Sequence, residues 1–422
     1  MKKSLLFFAL LSTISLTVNA QWQPVSIPGI STPVSTVHSF FSANVFAGTR
    51  GDGIFYTSDY GSTWTDISTN IGNKDINFVF GDIDGEISIL SGTLDGAYIY
   101  SSSTGLHTPV SEGLENNDIT YFGIYTDYVQ YMLGTNGGGV FLSPVFNYSW
   151  SAFNNGLSGD ALVINTAAYY DTPGGNTSTV IGTNNGFYIA YPGQNAWTAA
   201  NTGLSGEALK VNDIWPLESF VIIATDNGIY VSFDLTQGWM PLLQGVRINK
   251  LVYDDSNETF LAFGTTNYFS TDIQQWNPMN TGGLPQGEVI SAAARDGYIF
   301  AVVQNPGKNP ANGGSIFRGL ASMVVSTDLK PAGSRNFNIT NYPNPAVEKT
   351  IFNYSIAEQG DVSISITDVS GRNIAIIHEG MKIAGNHQYQ LNTANLRPGI
   401  YICALRVNGI PIANNRLVIS EQ

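Results

Sequence analysis

The sequence predicts an all-β protein, in which a seven-bladed β-propeller is followed by a small Ig-like β-sandwich. Three observations support this fold class: the composition, a segment that recurs seven times, and a change of pattern after residue 320. The chain has 422 residues, of which 45 are Gly, 12% are aromatic and only 12% are charged. This composition favours many short strands joined by tight turns over long helices or disorder.

The first twenty residues have the pattern of a secretory signal peptide. Lys2 and Lys3 precede an apolar run from Leu5 to Leu16, and small residues follow at Val18-Asn19-Ala20. The apolar run is shorter than the ~20 residues that a membrane-spanning helix needs. We therefore expect residues 1–20 to be removed during export by the Sec pathway, and we expect no transmembrane segment in the chain.

A repeat of about 40 residues organises the chain from residue 21 to residue 320. Copies such as VFAGTRGDGIFYT, ILSGTLDGAYIYS and VIGTNNGFYIA share an apolar strand, a small residue with Thr, a polar-Gly turn and a second strand. Asp-Gly and Asn-Gly turns are typical of tight β-hairpins, and this period is typical of a propeller blade. The repeated threonines, spaced by 44, 42, 48, 42 and 40 residues, are Thr49, Thr93, Thr135, Thr183, Thr225 and Thr265, and a worn seventh copy begins at Tyr298.

Tryptophans form a second register in the same repeat. Six of the seven follow this register, and Leu106 is predicted to fill the slot in the second blade. The first Trp strand precedes the first hairpin, whereas the last hairpin, ending near Arg318, has no Trp strand after it. We therefore expect the first strand to pair onto the seventh blade and close a monomeric ring, which removes two open sheet edges. The six tryptophans are Trp22, Trp64, Trp150, Trp197, Trp239 and Trp276.

The stretch TSDYGSTW, residues 57–64, lies between the third and fourth strands of the first blade. It resembles the Asp-box, or BNR repeat, of sialidase-like and sortilin-like propellers. Worn copies centre on Asp234 and Asp272. The resemblance implies a structural turn, in which Asp and hydroxyl side chains bond to the backbone and the Trp packs between blades. The motif comprises Thr57, Asp59, Gly61, Thr63 and Trp64.

The repeat stops after residue 320. Residues 321–340 are rich in Ser, Thr, Pro and Gly, which predicts a linker, and residues 341–422 alternate as the strands of a small β-sandwich. The single cysteine, Cys403, lies in an apolar strand, so we expect it to be buried and neither disulfide-bonded nor a zinc ligand.

The motifs YPNP, DVSGR and LRPGIY, with a basic residue before the last strand, are similar to the type A sorting domain of the type IX secretion system of Bacteroidetes. The resemblance implies secretion or cell-surface display, with the translocon and a sortase as partners. The residues that carry it are Tyr342, Pro343, Asn344, Pro345, Gly371, Arg372, Pro398, Gly399 and Arg416.

The charge of the propeller region excludes one class of partner. Residues 21–320 contain 8 Lys and Arg against 25 Asp and Glu, a net charge of −17. Such a body repels phosphate backbones, so nucleic acid is not expected to bind. His38 and His107 lack metal-ligand spacing, and no cofactor motif is present, so we expect neither a metal nor a cofactor.

No catalytic set is predicted. A sialidase needs three convergent arginines in a characteristic context, which the four propeller arginines lack. The candidate binding residues instead lie near the starts of the innermost strands or depart from the repeat: Trp215 as a sugar platform or a core residue, and Arg247 and Lys250 as partners of acids or of an anionic ligand. The candidate carboxylates are Asp75, Asp118 and Glu288, together with Asp160, Glu207 and Asp213.

These observations favour a secreted or surface-displayed binding protein that engages an extracellular glycan or protein ligand. One alternative is a glycoside hydrolase or lyase that acts on extracellular polysaccharide through two channel carboxylates about 5–9 Å apart. Another is a structural adhesin whose ring only spaces or assembles other parts.

Overall fold

The computed structural model describes most of the chain from Trp22 onwards. The predicted signal peptide, together with Gly371, Arg372 and Pro398, lies outside the described residues. The described ranges are residues 22–40, 43–83, 87–125, 130–144, 147–171, 177–217, 220–304, 316–324, 338–356, 359–368, 373–397, 399–407 and 410–420.

Seven four-stranded antiparallel sheets form the blades of a β-propeller. Neighbouring innermost strands are in contact all round the ring, including the first blade with the seventh. Blades 1 to 3 follow strand β1 (Trp22–Pro24) and consist of β2 (Val34–Phe40), β3 (Asn44–Thr49), β4 (Ile54–Thr57) and β5 (Thr65–Asp66); β6 (Ile76–Ile83), β7 (Ile87–Thr93), β8 (Gly96–Ser101) and β9 (Leu106–Pro109); and β10 (Ile119–Tyr125), β11 (Gln130–Thr135), β12 (Val140–Pro144) and β13 (Ser151–Ala152).

The remaining four blades repeat this arrangement, and short 3-10 helices at Gly159–Leu162 and Gly206–Leu209 precede two of them. They consist of β14 (Ile164–Asp171), β15 (Thr177–Thr183), β16 (Gly186–Ala190) and β17 (Thr198–Ala199); β18 (Val211–Leu217), β19 (Phe220–Thr225), β20 (Gly228–Ser232) and β21 (Met240–Gln244); β22 (Ile248–Asp254), β23 (Thr259–Gly264), β24 (Tyr268–Ser270) and β25 (Asn277–Pro278); and β26 (Glu288–Arg295), β27 (Tyr298–Gln304) and β28 (Ile316–Leu320) with β1.

Strand β1 completes the seventh blade, which confirms the predicted closure. Trp22 pairs with Gly319, and its side chain is fully buried. Its Nε1 donates a 3.1 Å hydrogen bond to the carbonyl of Asn280 in blade 6. The two ends of the propeller sequence therefore meet in one sheet, and the same tryptophan links that sheet to its neighbour.

The repeated Gly-Thr pair at the end of each second strand has two packing roles. At Gly48 an added Cβ would lie 2.5 Å from Ile76 of the next blade, so only glycine allows that approach. The adjacent Thr49 is buried, and its hydroxyl donates to the carbonyl of Gly53, which fixes the hairpin turn. The same Thr-to-turn bond recurs at Thr93, Thr135, Thr183 and Thr225.

A β-bulge near the start of every innermost strand builds an inner belt of hydrogen bonds. The bulge leaves one residue unpaired in the ladder, and in six blades its polar side chain donates to a backbone carbonyl of the next blade at 2.5–3.2 Å. Each bond therefore joins blade n to blade n+1. The six donors are Ser35, Asn77, Thr120, Asn165, Asn212 and Asn249.

The tryptophan register builds an outer belt that runs the other way. Trp22, Trp150, Trp197 and Trp239 each donate Nε1 to a carbonyl of the preceding blade, at 2.5–3.1 Å. The Nε1 atoms of Trp64 and Trp276 are buried without a partner among the described residues.

In blade 2 the prediction that Leu106 fills the tryptophan slot is wrong. Leu106 is 40% exposed, and the buried residue in the slot is His107. Its Nε2 lies 2.9 Å from the carbonyl of Ile67 in blade 1, and because a carbonyl only accepts, Nε2 carries the proton. The repeat pattern did not predict this residue, because blade 2 has an imidazole N–H donor in the slot where other blades have an indole N–H donor.

The joint between blades 7 and 1 lacks the inner-belt bond, because Ile290 stands at the bulge position. Ser291 replaces it, with its Oγ 3.1 Å from the backbone nitrogen of Val37. Farther out, the Tyr60 ring stacks on Tyr298 with centroids 4.5 Å apart, and Arg318 donates to the Tyr60 carbonyl. Side-chain packing thus replaces the repeated bond where the ring closes.

The predicted linker of residues 321–340 is wrong at both ends. A short helix, α1 (Ala321–Val324), continues directly from the last blade, and Ala321 is buried against the Trp22 cluster. Strand β29 begins at Asn338. The β-sandwich packs two sheets, in the orders β29-β30-β33 and β32-β31-β34-β35. Its strands are β29 (Asn338–Tyr342), β30 (Lys349–Ile356), β31 (Gly360–Asp368), β32 (Asn373–Lys382), β33 (Gly385–Asn392), β34 (Gly399–Val407) and β35 (Ile410–Ile419).

Cys403 lies in the core of the sandwich beside Phe352 and Ile364, as predicted. Burial raises the pKa of its thiol to about 12. The thiolate, which is the reactive form, is therefore scarce at neutral pH.

Replacing Trp22 with Ala tests the closure. We expect the free energy of unfolding to fall by about 3–5 kcal/mol, because a fully buried indole and its bond to Asn280 are lost. Trp276→Ala is the matched control, since Trp276 is only partly buried, its Nε1 has no partner among the described residues, and it packs between blades 5 and 6. Urea unfolding followed by circular dichroism measures both; equal losses would contradict the role of Trp22.

The stability of the propeller should depend on pH through His107. Burial lowers the pKa of His107 below its value of about 6.5 in an unfolded chain, so protonation favours the unfolded state. We expect the free energy of unfolding to decrease as pH falls below about 6.5. His107→Gln keeps an N–H donor but does not titrate, and should reduce this dependence. An unchanged pH profile in the variant would show that His107 contributes nothing to it.

Candidate functional site

The candidate site lies on the upper face, which we define as the face where the innermost strands begin. The inter-blade loops and the hairpin turns between second and third strands meet there, as the bridge between Arg50 and Asp75 shows. The inner belt lies just beneath it. Loops on a rigid scaffold are where binding residues concentrate, and most of the predicted polar candidates lie here.

In blades 1 to 3 the upper face carries a chain of polar contacts. Arg50 contacts Asp75 at 2.9 Å and Asn77 at 2.5 Å. Asn77 donates to Asp118 at 2.8 Å, and Asn136 donates to the other carboxylate oxygen of Asp118 at the same distance. The predicted candidates Asp75 and Asp118 are thus both engaged in contacts that join neighbouring blades.

In blades 5 to 7 a second cluster forms around Arg247. Its guanidinium lies 3.1 Å from Asp226 and 3.6 Å from Glu288, and Lys210 lies 3.4 Å from Asp226. The belt residue Asn249 also donates to Glu288, at 2.8 Å. The structure therefore brings Arg247 and Glu288 together, and it adds Asp226 and Lys210, which were not predicted.

Lys250 lies one step down the innermost strand of blade 6. Its Nζ is 3.0 Å from Asp213 of blade 5, and Asp213 also accepts bonds from the backbone of Leu251 and the hydroxyl of Thr166. Blades 4, 5 and 6 thus share one buried carboxylate.

The cationic and the anionic side chains of this cluster differ in solvent exposure, and this difference determines which groups the face presents to solvent. The side chains of Lys210, Arg247 and Lys250 are 40–44% exposed, and we call these three residues the basic patch. Their partners Asp213, Asp226 and Glu288 are 4%, 11% and 23% exposed. Cationic groups therefore cover carboxylates that lie beneath them.

An aromatic group lies farther along the innermost strands of blades 1 and 2. The ring of His38 lies 4.7 Å from that of Phe80, which is 36% exposed, and Phe40 lies beside it. Burial lowers the pKa of His38 to about 4, and the charge of Lys250 adds to the decrease. His38 is therefore neutral at physiological pH.

Trp215, predicted as a sugar platform, lies between blades 5 and 6. Its ring meets Phe260 edge-on at 6.1 Å and lies 6.4 Å from Tyr253. The indole is partly buried against the apolar cluster of these two blades. Packing accounts for this position without a ligand, and a role in sugar binding stays a prediction.

The remaining predicted carboxylates do not join the clusters. Asp160 and Glu207 lie on the two 3-10 helices and are exposed. The sequence signal that was overlooked is the Asn that follows the first residue of several innermost strands. Asn77, Asn212 and Asn249 reach both the next blade and a carboxylate of the upper face.

The Thr57–Trp64 turn lies on the opposite face and is held by its own side chains. Asp59 accepts hydrogen bonds from the backbone and hydroxyl of Thr63 and from the hydroxyl of Thr57, at 2.7–2.8 Å. These bonds lower the pKa of Asp59 to about 2. Gly61 has positive φ and donates its N–H to Thr57, and Trp64 packs with the blade 7 and blade 1 cluster.

The described sorting-motif residues lie at the start and in the last strands of the sandwich. Asn344 accepts the N–H of Val418 at 2.8 Å, and Pro343 accepts the hydroxyl of Thr350 at 2.9 Å. Tyr342 is 78% exposed beside them. Pro345 follows in the same bend, and Gly399 and Arg416 lie in β34 and β35.

A cavity of about 700 Å³ lies on the sandwich and not on the propeller. Its lining is mostly amide and hydroxyl side chains without a charged cluster, so it does not define the candidate site. Within the described ranges, no group of three or more His, Cys, Asp or Glu residues is placed to hold a metal ion, and no helix has the length and apolarity to cross a membrane.

Comparison with known proteins identifies the C-terminal region. Residues 340–420 match the family model described as the secretion system C-terminal sorting domain. The match supports the predicted type IX secretion tail, and the protein is secreted or displayed at the cell surface. No curated protein matches the chain.

Solved structures share the propeller fold at low sequence identity. The extracellular domain of the two-component system BT4673 from B. thetaiotaomicron has a TM-score of 0.55 and 14% identity, over 95% of this chain and 59% of that one. That of BT3049 from the same organism also has a TM-score of 0.55 and 14% identity, over 95% and 58%. YCF48 bound to D1 peptide has a TM-score of 0.51 and 16% identity, over 71% and 97%.

This chain therefore spans less than two thirds of the length of the two extracellular domains. At such identities the likeness shows the fold alone. Together with the family match, it shows an extracellular β-propeller that carries a type IX secretion sorting tail.

Proposed function

We propose that this protein is a secreted or surface-displayed binding protein whose propeller engages an extracellular glycan or protein ligand through its upper face. The observation that carries the proposal is a contrast between two layers of polar side chains, the inner belt and the basic patch above it. Beneath the face, polar side chains are committed to joining blades. Above it, the exposed groups of the basic patch keep donors directed to solvent.

The same contacts weigh against the enzymatic alternative. Asp75, Asp118 and Glu288 are each held by an amide or guanidinium of a neighbouring blade. A glycoside hydrolase needs one carboxyl group that gives up a proton and another that attacks or activates water. Hydrolase or lyase activity stays the second candidate, and a purely structural adhesin the third.

The sialidase-like and sortilin-like character of the Thr57–Trp64 turn is also a proposal. Its support is the set of bonds around Asp59, which the worn turns partly retain. Asp234 accepts from the backbone and hydroxyl of Thr236, and Asp272 accepts the backbone N–H of Gln275. We assign these turns a role in holding blades together, and expect no contact with ligand.

A binding and turnover screen tests the function. The mature protein should bind a subset of an extracellular glycan array, or capture a protein from native matrix, without consuming polysaccharide. Lys74→Gln serves as a control on the same face, outside both clusters. Turnover that is abolished by Asp118→Asn or Glu288→Gln would replace the binding proposal with an enzyme. Absence of any bound glycan or protein would favour the adhesin.

Delivery is tested separately by deleting residues 341–422. We expect the truncated protein to accumulate in the periplasm, because the sorting domain is the part that the translocon recognises. Cell fractionation and blotting of the medium, the outer membrane and the periplasm measure its location. Full-length protein with Lys74→Gln should be exported normally, and export of the truncated form at the same level would contradict the assignment.

A further inference from the structure

We propose that the basic patch binds the anionic groups of a short acidic saccharide, carboxylated or sulfated, at the mouth of the channel between blades 5 and 7. The inference rests on the proposed binding function and names its ligand class. The ion pairs of the patch are not needed to join these blades, because the inner belt already joins them through Asn212 and Asn249.

Because the acids are buried beneath the cations, the charged groups that solvent reaches first are positive. Asp213 is nearly fully buried and accepts three hydrogen bonds within the protein. Asp226 is held by Lys210, Arg247 and Asn212 at once. A ligand that approaches from solvent therefore meets guanidinium and ammonium groups first, and these are donors that suit carboxylates and sulfates.

The donors of the patch are only partly used inside the protein. Arg247 has five N–H groups, and its ion pairs with Asp226 and Glu288 are 3.1 and 3.6 Å long. Lys210 holds Asp226 at 3.4 Å, and Lys250 holds Asp213 at 3.0 Å through one of its three N–H groups. Each side chain can therefore add a bond to a ligand while it keeps its internal partner.

The surroundings favour a saccharide over a peptide. Protein interfaces are usually anchored by aromatic side chains and Arg in well-packed pockets, yet the exposed large apolar residues described in the propeller all belong to blade 2: Phe80, Leu94 and Leu106. The turns beside the patch present exposed amide and hydroxyl groups from Gln244, Thr265 and Thr266. Such groups suit the hydroxyls of a sugar ring.

The charge of the whole propeller limits the length of the ligand. The net charge of residues 21–320 is −17, and the exposed Glu207 and Asp160 lie on the 3-10 helices that precede blade 5 and blade 4. Screening confines the attraction of the patch to about 8 Å at physiological ionic strength. A long polyanion would extend over these carboxylates, so an oligosaccharide or a sparsely charged chain fits better.

Galacturonic acid trimers and their fully methyl-esterified form are the matched probes, because esterification removes the negative charge of each carboxylate and adds only a methyl group. Isothermal titration calorimetry with the mature full-length protein should show binding of the acid form at least about tenfold tighter than of the ester, as expected when a charge-assisted bond is lost. A sulfated galactose trimer in parallel shows whether sulfate or carboxylate suits the patch better, and binding of either supports the proposal.

Two variants locate the binding. Arg247→Gln should weaken binding of the acid trimer by about tenfold, because a guanidinium can offer two parallel donors to a carboxylate. Lys210→Gln should weaken it by about threefold, because an ammonium acts as a single point charge. Lys74→Gln is the control, since it removes one exposed charge on the same face outside the patch. If Arg247→Gln unfolds, as thermal melting would reveal, Lys210→Gln alone decides the assignment.

Four results overturn the inference. Equal affinity for acid and ester trimers together with no binding of the sulfated trimer, or equal affinity of wild type and Lys210→Gln for the bound trimer, shows that the patch does not recognise the anionic charge. Binding of neutral glycans or of a protein partner without acidic saccharides rejects the ligand class but leaves the proposed function intact. Failure to bind any glycan or matrix protein rejects both.

Discussion

The bond from a bulged side chain to the backbone of the next blade is the constraint on which the propeller depends. In a propeller each blade lies between two others, so both faces of its sheet are buried against neighbours. The belt bonds from Asn77 to Ile119 and from Asn249 to Val289 fix where each innermost strand meets the next. Trp197 and Trp239 act in the opposite direction at the rim, so a blade is held at both radii.

The belt also determines the chemistry of the upper face. Asn77, Asn212 and Asn249 each hold a carboxylate as well as a carbonyl. Asn77 also accepts a bond from Arg50, and Asp226 and Glu288 in turn position Arg247. Around Arg247 the carboxylates therefore lie one layer below the groups that meet solvent. The bonds that join blades 5 to 7 leave the basic patch as the outer layer there.

The periodic apolar residues allowed the number of blades and the closure by Trp22 to be predicted. Local motifs allowed the secretion tail to be predicted. The site was predicted only in part. Arg247 pairs with carboxylates, which is one of the two roles predicted for it, but Asp226 and Lys210 stand at turn positions where the residue type changes from blade to blade. His107 was missed because its slot retains an N–H donor and not a residue type.

Closure by Trp22 has a consequence for the order of folding. Trp22 pairs with Gly319, so the seventh sheet cannot be complete until nearly the whole propeller sequence is present. Contacts this distant in sequence form late, because loop closure costs entropy before it gains contacts. A chain that crosses a membrane from its N-terminus would keep this strand unpaired until the last blade arrives. Ring completion thus reports that the entire propeller has emerged.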